Sequence, residues 1–171
     1  WSGLSVFRGT SIQGGMVGGL VWVALYARGR RISALKLLDA FAPGGALANA
    51  ATRVGCFVAG CCFGRPTGLS WGVVYRQAPG GTPLGVPLHP AQLYESALDA
   101  GLAALLHRRL ASEGPRRPGE AIVLYVGGIS AIRFAVQFLR DDDAGRLAFG
   151  LAHSQYLALA LMAAAAIWLR G

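Results

Sequence analysis

Long stretches almost without charge are the feature that most limits what this sequence can fold into. Three of them, residues 12–27, 121–139 and 151–169, approach the roughly 20 apolar residues that a helix needs to cross a bilayer. The 171-residue chain is 54% hydrophobic and 14% charged, and its mean hydropathy is +0.46. A soluble core of this size needs less apolar surface, so the composition predicts a membrane protein.

The other apolar segments are less regular. Residues 35–51 contain Asp39 and Pro43, and because proline inside a helix removes a hydrogen bond, we expect a broken or half-depth helix there. Residues 54–63 are too short to cross, and we expect them to continue that segment irregularly between neighbouring helices. Residues 91–106 return to helical spacing. The predicted fold class is all-α, a polytopic integral membrane helical bundle of four to five hydrophobic segments.

Residues 64–90 differ from the rest of the chain, being rich in Gly, Pro and polar residues. Within them, residues 71–75 favour a short strand and residues 78–83 favour a turn. We expect this stretch to form a small extramembrane loop region. No internal repeat or linker is visible in the sequence, so residues 1–171 are predicted to form a single membrane domain.

The distribution of basic residues predicts the orientation of the chain. More than half of them lie in residues 28–36, in residues 108–117 and at Arg170. Loops enriched in Lys and Arg face the cytoplasm, so these turns and the C-terminus are predicted to be cytoplasmic. The opposite, outward side then receives Arg53, the 64–90 loop and residues 133–146.

The net charge of +8 raises the question of a nucleic-acid partner. Nucleic-acid sites usually combine basic side chains with exposed aromatic ones. Here many arginines lie in short turns between apolar segments, which is typical of membrane topology. We therefore predict no nucleic-acid partner.

Arg53 and Arg133 are the charged residues that most need an explanation. A charge at membrane depth costs several kcal/mol, so it is usually kept for a partner or a substrate. One interpretation is structural: each arginine extends to the interface or pairs with Asp39 or Glu95. Two guanidiniums on the same predicted side favour the other interpretation, because a guanidinium binds a lipid phosphate through two parallel hydrogen bonds.

Cys56, Cys61 and Cys62 fall within seven residues and allow three interpretations. They are small hydrophobic side chains in an apolar segment, or ligands of a soft metal together with His89 or His153. In the third interpretation they include a reactive thiol, since a neighbouring arginine lowers the pKa of a thiol. A disulfide between the adjacent Cys61 and Cys62 would be strained and redox-labile.

The order of the short motifs resembles a known family. The stretches "DAFAP", "RVG", "HPAQLYE" and "IRFAVQFLR" occur in the same order in the prolipoprotein diacylglyceryl transferase family. The resemblance covers nearly the whole chain and identifies it as a divergent, cysteine-rich and N-terminally short member. It implies a bacterial inner-membrane enzyme that moves diacylglyceryl from phosphatidylglycerol to the lipobox cysteine of a prolipoprotein.

The resemblance also implies roles for residues at matching positions. Arg53 and Arg133 match arginines of the family motifs and would bind the phosphoglycerol headgroup as catalytic residues. His89 and Cys61 are the further candidate catalytic residues, His89 as a base and Cys61 as a base or nucleophile. The candidate substrate-binding residues are Gln13, Gly14, Gly15, Tyr94, Glu95 and Arg140.

Several positions depart from the family pattern. Gln13 stands where the family has His, Cys56 where it has Asn, and Cys61 where it has Glu. Ile129 and Gln137 replace a Tyr and a Glu. The departures remove two obvious bases, since Gln cannot take a proton at neutral pH. Transfer to a thiol stays feasible, because a thiol with a pKa of about 8.5 needs only modest help to ionise.

The resulting hypothesis is a transferase that uses phosphatidylglycerol or another anionic phospholipid and a thiol acceptor such as a lipobox peptide. No cofactor and no resident metal are predicted for this activity. The expected location is the bacterial inner membrane, multi-pass, with the site facing outward and the C-terminus cytoplasmic. Two alternatives stay open: a membrane thiol redox or soft-metal protein that uses Cys56, Cys61 and Cys62, and an inactive lipid-binding relative.

Overall fold

Helices form most of the chain in this computed structural model, which describes residues 7–78, 81–112, 114–115, 117–140 and 150–171, with side chains from residue 18 onward. In the described residues there are five helices: α1 Phe7–Arg30, α2 Ala34–Ala59, α3 Ala91–Ser112, α4 Glu120–Gln137 and α5 His153–Arg170. The prediction of an all-helical fold is confirmed.

The second helix is longer and more regular than the sequence suggests. α2 runs unbroken through Pro43, so the expected broken or half-depth helix over residues 35–51 is wrong. Proline weakens an isolated helix, but packing of an apolar face supplies most of the stability of a helix in a protein. Here Ala42, Ala46 and Ala50 are buried. The helix includes residues 54–59, and only residues 60–63 are irregular as expected.

Gly60 ends α2 by reversing the chain direction. Its φ of 65° and ψ of 46° lie in the left-handed region, and its backbone N–H points to the carbonyls of Cys56 and Phe57. Glycine is the residue that adopts this conformation without steric cost, which explains its place at a helix end.

The core of the bundle is made of small residues. α3 packs against α2 and α4, and α5 packs against α4. The buried cluster between α2, α3 and α4 consists of Ala42, Ala46, Ala103, Leu106 and Ala121. Alanine lets helix backbones approach closely, a packing mode common among helices in lipid.

Asp39 of α2 caps the start of α4. Its Oδ2 accepts a hydrogen bond from the backbone N–H of Gly119 at 2.7 Å, and its Oδ1 accepts one from Ile122 at 3.0 Å. A carboxylate at this place satisfies amides that the helix leaves unpaired and interacts favourably with the helix dipole. Arg53 lies roughly 20 Å further along α2 at the helical rise per residue, which excludes pairing with Asp39.

The 64–90 region is a loop that carries a short hairpin. β1 (Val73–Val74) pairs antiparallel with β2 (Pro87–Leu88), which confirms the short strand expected in residues 71–75. The backbone N–H of Gly64 donates to the carbonyl of His89, and that of Arg65 donates to Leu139. These bonds hold the loop against the end of α4 and the start of α3.

In the described part of the chain, α4 is the one helix that is long and apolar enough to cross a membrane. This judgement rests on length and composition, and a buried helix of a soluble protein passes the same test. The number of spans and their orientation therefore stay predictions.

Candidate functional site

Three arginine side chains surround one buried carboxylate where α2, α3 and α4 meet. Arg53 Nη2 lies 3.0 Å from Glu95 Oε1, Arg133 Nη1 lies 3.5 Å from Glu95 Oε2, and Arg140 Nη1 lies 3.8 Å from the same oxygen. The Glu95 side chain is 3% exposed. We call these four residues the arginine cluster. It brings three guanidinium groups to one place, and guanidinium groups suit an anionic ligand.

Helix geometry brings this cluster together. Glu95 lies in the first part of α3, Arg53 in the last part of α2 and Arg133 near the end of α4, so each side chain comes from a helix end. A second polar pair lies one helical turn away, where Asn49 Nδ2 donates to Asp99 Oδ2 at 2.5 Å. Residues four apart share a helix face, so the Arg53–Glu95 and Asn49–Asp99 pairs connect the same faces of α2 and α3.

A cavity of about 300 Å³ opens beside the arginine cluster. Its polar lining residues are Asn49, Arg53, Glu95, Ser130, Arg133 and Ser154. Its apolar lining residues are Ile129, Leu157, Ala158 and Leu161. A cavity with one cationic end and one apolar wall suits an amphiphile whose head is negatively charged.

One donor in this cavity wall has no partner within the part of the chain that the structure describes. Arg53 Nε is buried and makes no hydrogen bond there. Leaving a buried donor unpaired costs about 1–3 kcal/mol.

The three cysteines form a second cluster next to the first. Their Sγ atoms all lie within 4.8 Å of one another, and all three are free thiols. Cys61 Sγ lies 3.6 Å from the backbone carbonyl of Cys56. Cys62 has a φ of 58°, an uncommon conformation for a residue with a side chain. We call these residues the cysteine cluster.

The two adjacent thiols differ in acidity. Burial, reinforced by a hydrogen bond with Cys56, raises the pKa of Cys61 to about 11. Burial also opposes ionisation of Cys62, but a hydrogen bond and the charge of Arg140, with a smaller contribution from Arg53, lower its pKa below the usual value. The expected lowering of a thiol pKa by a neighbouring arginine therefore applies to Cys62, and Arg140 contributes more than Arg53.

His89 and Tyr94 lie in a third group outside the cavity lining. His89 Nδ1 is 3.4 Å from the Tyr94 hydroxyl, and Trp71 Nε1 donates to the same hydroxyl at 2.9 Å. The backbone of His89 is tied to Gly64 and Arg65. The structure thus places this histidine at the edge of the loop, close to the start of α3.

Three predicted substrate-binding residues lie in the part of α1 whose side chains are not described. The side chains of Gln13, Gly14 and Gly15 are not among those described, although α1 includes their backbone. Within the described part of the chain, neither His89 nor His153 joins the thiol group as a further possible ligand.

Four polar residues of the site were not predicted from the sequence: Asn49, Asp99, Ser130 and Ser154. Two of them follow a simple pattern, because Asn49 precedes Arg53 by one helical turn and Asp99 follows Glu95 by one turn. Ser130 and Ser154 enter the cavity through the packing of α4 on α5, for which the sequence contains no local pattern.

The fold and the cavity define a helical protein with a cationic site beside an apolar wall. The family model for prolipoprotein diacylglyceryl transferase matches residues 1–170, so the chain belongs to this family. The resemblance seen in the sequence motifs is thereby confirmed.

Several curated relatives support this assignment. A phosphatidylglycerol–prolipoprotein diacylglyceryl transferase of Clostridium tetani is 38% identical over 152 residues, covering 89% of this chain and 59% of the relative. One of Bordetella parapertussis is 36% identical over 160 residues, covering 92% of this chain and 59% of the relative. A protein of Clostridium perfringens with the same name and the suffix 2 is 34% identical over 155 residues, covering 91% of this chain and 59% of the relative. The chain spans about 59% of the length of these relatives.

Proposed function

We propose that this chain transfers diacylglyceryl from phosphatidylglycerol to a thiol acceptor such as a lipobox cysteine. The observation that carries the proposal is the arginine cluster at one end of a cavity with an apolar wall. The names of the relatives describe this same activity. Another anionic phospholipid with the same headgroup chemistry would fit the cluster as well.

In this proposal the guanidiniums of Arg53 and Arg133 bind the lipid phosphate, with Arg140 as a further cationic contact. Guanidinium binds phosphate through paired, charge-assisted hydrogen bonds. The same side chains would stabilise the charge that grows on the phosphate as it leaves. Glu95 is a positioning residue, because its buried carboxylate lies within 3.8 Å of all three guanidiniums.

The acyl chains would follow the apolar wall towards lipid. Ile129, Leu157 and Leu161 line that wall. Apolar side chains are also exposed on other helices, for example Val58 of α2 at 79% and Leu105 of α3 at 67%. Exposed apolar surface on several helices is expected where a bundle faces lipid.

We accordingly propose one multi-pass domain in the bacterial inner membrane. The basic residues that cluster in residues 28–36 and 108–117 support a cytoplasmic location for those turns and for the C-terminus. The arginine cluster and the 64–90 loop would then face outward, where a prolipoprotein acceptor is presented.

The transfer step needs no reactant other than the phospholipid and the acceptor thiol. The acceptor sulfur attacks the glyceryl carbon that bears the phosphate, a carbon–sulfur bond forms, and the carbon–oxygen bond to phosphate breaks. Glycerol phosphate leaves, and a base takes the thiol proton. His89 is the proposed base with Tyr94 beside it, because Cys61, with a pKa raised to about 11, stays protonated at neutral pH. Gln13, Gly14 and Gly15 complete the proposed substrate-binding set.

Lipidation of a peptide tests this proposal. The detergent-purified chain is incubated with phosphatidylglycerol and a lipobox peptide, and mass spectrometry measures the diacylglyceryl adduct on the peptide cysteine. We expect an adduct with the wild-type chain, a loss of at least about tenfold with Arg53→Ala, and a smaller loss with Arg53→Lys, which keeps charge but not the planar fork. Arg76→Ala, in the exposed loop, is the matched control and should leave the yield unchanged.

Two outcomes would overturn the proposal. Equal adduct yields with wild type and Arg53→Ala would remove the arginine cluster from the reaction. Retention of phosphatidylglycerol on the protein without any peptide adduct would show an inactive lipid-binding relative instead of a transferase.

A further inference from the structure

We propose that Cys56, Cys61 and Cys62 form a binding site for a soft, thiophilic metal ion, with Cu(I) as the ion that this ligand set fits. The site is separate from the lipid cavity, whose lining contains none of the three cysteines. It goes beyond the proposed transfer activity, which needs no metal.

The sulfur atoms are close to the spacing that a metal requires. A metal–sulfur bond of roughly 2.3 Å places three sulfurs around one ion roughly 4 Å apart. The three Sγ atoms already lie within 4.8 Å of one another. Small side-chain rotations therefore complete the site, and the partial exposure of all three residues leaves a path for entry.

The backbone holds the thiols together before any ion arrives. Gly60 reverses the chain, and the Cys61 N–H then donates to the Cys56 carbonyl at 3.0 Å. Gln92 Nε2 donates to the Cys61 carbonyl at 2.6 Å, and the Thr82 hydroxyl donates to the Gly60 carbonyl. The left-handed conformation of Cys62 is sterically unfavourable, and such residues persist where the surroundings hold them in place.

The number of ligands selects the kind of ion. In the part of the chain that the structure describes, no further His, Cys, Asp or Glu atom joins the three thiols within the same distance. Structural zinc sites use four ligands, whereas soft thiolate sets without hard ligands suit Cu(I). Three thiolates around a monovalent cation keep a net negative charge, and the Arg140 and Arg53 guanidiniums next to Cys62 offset it.

Anaerobic titration of the reduced, detergent-purified chain with Cu(I) tests the site. A colorimetric Cu(I) chelator serves as competitor, and ultraviolet absorption follows the thiolate-to-copper charge-transfer band. We expect the chain to bind one Cu(I). The same titration with Mg²⁺ should show no binding. Cys56→Ser and Cys61→Ser should each weaken Cu(I) binding at least about tenfold, since even outer-shell changes cost ten- to a hundredfold.

His107→Ala is the matched control, because this exposed histidine lies on α3 and belongs to no metal-ligand group among the residues that the structure describes. It should leave Cu(I) binding unchanged, and circular dichroism of each variant checks that the helices are intact. Absence of Cu(I) binding by the wild-type chain would overturn the proposal whatever the variants do. So would wild-type affinity for Cu(I) in Cys56→Ser.

Discussion

The arginine cluster and the cysteine cluster are neighbours that are built in opposite ways. Arg53, Glu95 and Arg133 come from three helices and meet only when the bundle packs. The three cysteines come from one short segment and meet because the chain turns back at Gly60. The first cluster thus depends on tertiary structure and the second on local backbone geometry.

The two clusters share a guanidinium. Arg140 lies 3.8 Å from Glu95 in the arginine cluster, and it also hydrogen-bonds the Cys62 side chain. Its side chain is 5% exposed. Because the arginine cluster joins three helices, we expect substitutions there to affect folding strongly, whereas substitutions in the cysteine cluster should mainly change thiol chemistry.

The largest expected effect follows from removal of the shared carboxylate. Glu95→Ala leaves three guanidiniums without their common counter-charge, and breaking a buried ion pair from one side costs about 3–5 kcal/mol. We expect the free energy of unfolding to fall by that amount, measured by denaturant titration followed by circular dichroism. Arg76→Ala, an exposed loop residue, should change it by less than about 0.5 kcal/mol. Wild-type stability in Glu95→Ala would mean that the cluster does not hold the helices together.

A smaller effect is expected where the loop meets the helix ends. A Cβ at Gly64 would lie 2.6 Å from the His89 carbonyl oxygen and 2.8 Å from that of Leu139, so the backbone would have to move. Gly64→Ala should lower the free energy of unfolding by about 1–3 kcal/mol, as overpacking does. Gly68→Ala is the matched control, because a Cβ at Gly68 meets nothing within 4 Å. Equal stability of the two variants would contradict the close contact of loop and helix.

The smallest effect on folding, and a clear chemical one, is expected at the adjacent thiols. In the metal-free protein the lowered pKa of Cys62 makes its thiolate appear at lower pH than that of an ordinary cysteine. Cys61, with a pKa raised to about 11, stays protonated until the solution is strongly basic. As the pH rises through neutral, iodoacetamide should therefore label Cys62 at least about tenfold faster, since one pKa unit is a tenfold change in thiolate below the pKa.

Peptide mapping by mass spectrometry measures the two labelling rates. Arg140→Gln should slow the labelling of Cys62, because it removes the cation that favours the thiolate. Faster labelling of Cys61 than of Cys62 in the wild-type chain would reverse the assigned order of acidity.

The sequence predicted the parts of the molecule that depend on local patterns. Long apolar segments indicated helices, and the Gly and Pro content indicated the 64–90 loop. Pairing with Asp39 or Glu95 was part of one of the two interpretations of Arg53 and Arg133. The motif order indicated the family. These features depend on composition and on short-range spacing, which a single sequence displays directly.

The features that the sequence did not predict depend on contacts between distant residues. Pro43 indicated a break by a local rule, but burial of one alanine face keeps α2 continuous. Asp39 was expected to interrupt a helix or to pair with an arginine, and its capping role became visible only with the start of α4 beside it. The left-handed conformation of Cys62 could not be foreseen either, because residues with side chains rarely adopt it.

Equilibrium binding of phosphatidylglycerol is the measurement that tests the role of the arginine cluster most directly. Native mass spectrometry of the detergent-purified chain compares the dissociation constants of wild type, Arg53→Gln, Arg133→Gln and the loop control Arg76→Gln. Each charge-assisted hydrogen bond contributes about 1.5–3 kcal/mol, so the two cluster variants should bind at least about tenfold more weakly while Arg76→Gln binds as wild type. Equal binding by all four proteins would contradict the assignment of the cluster to the lipid headgroup.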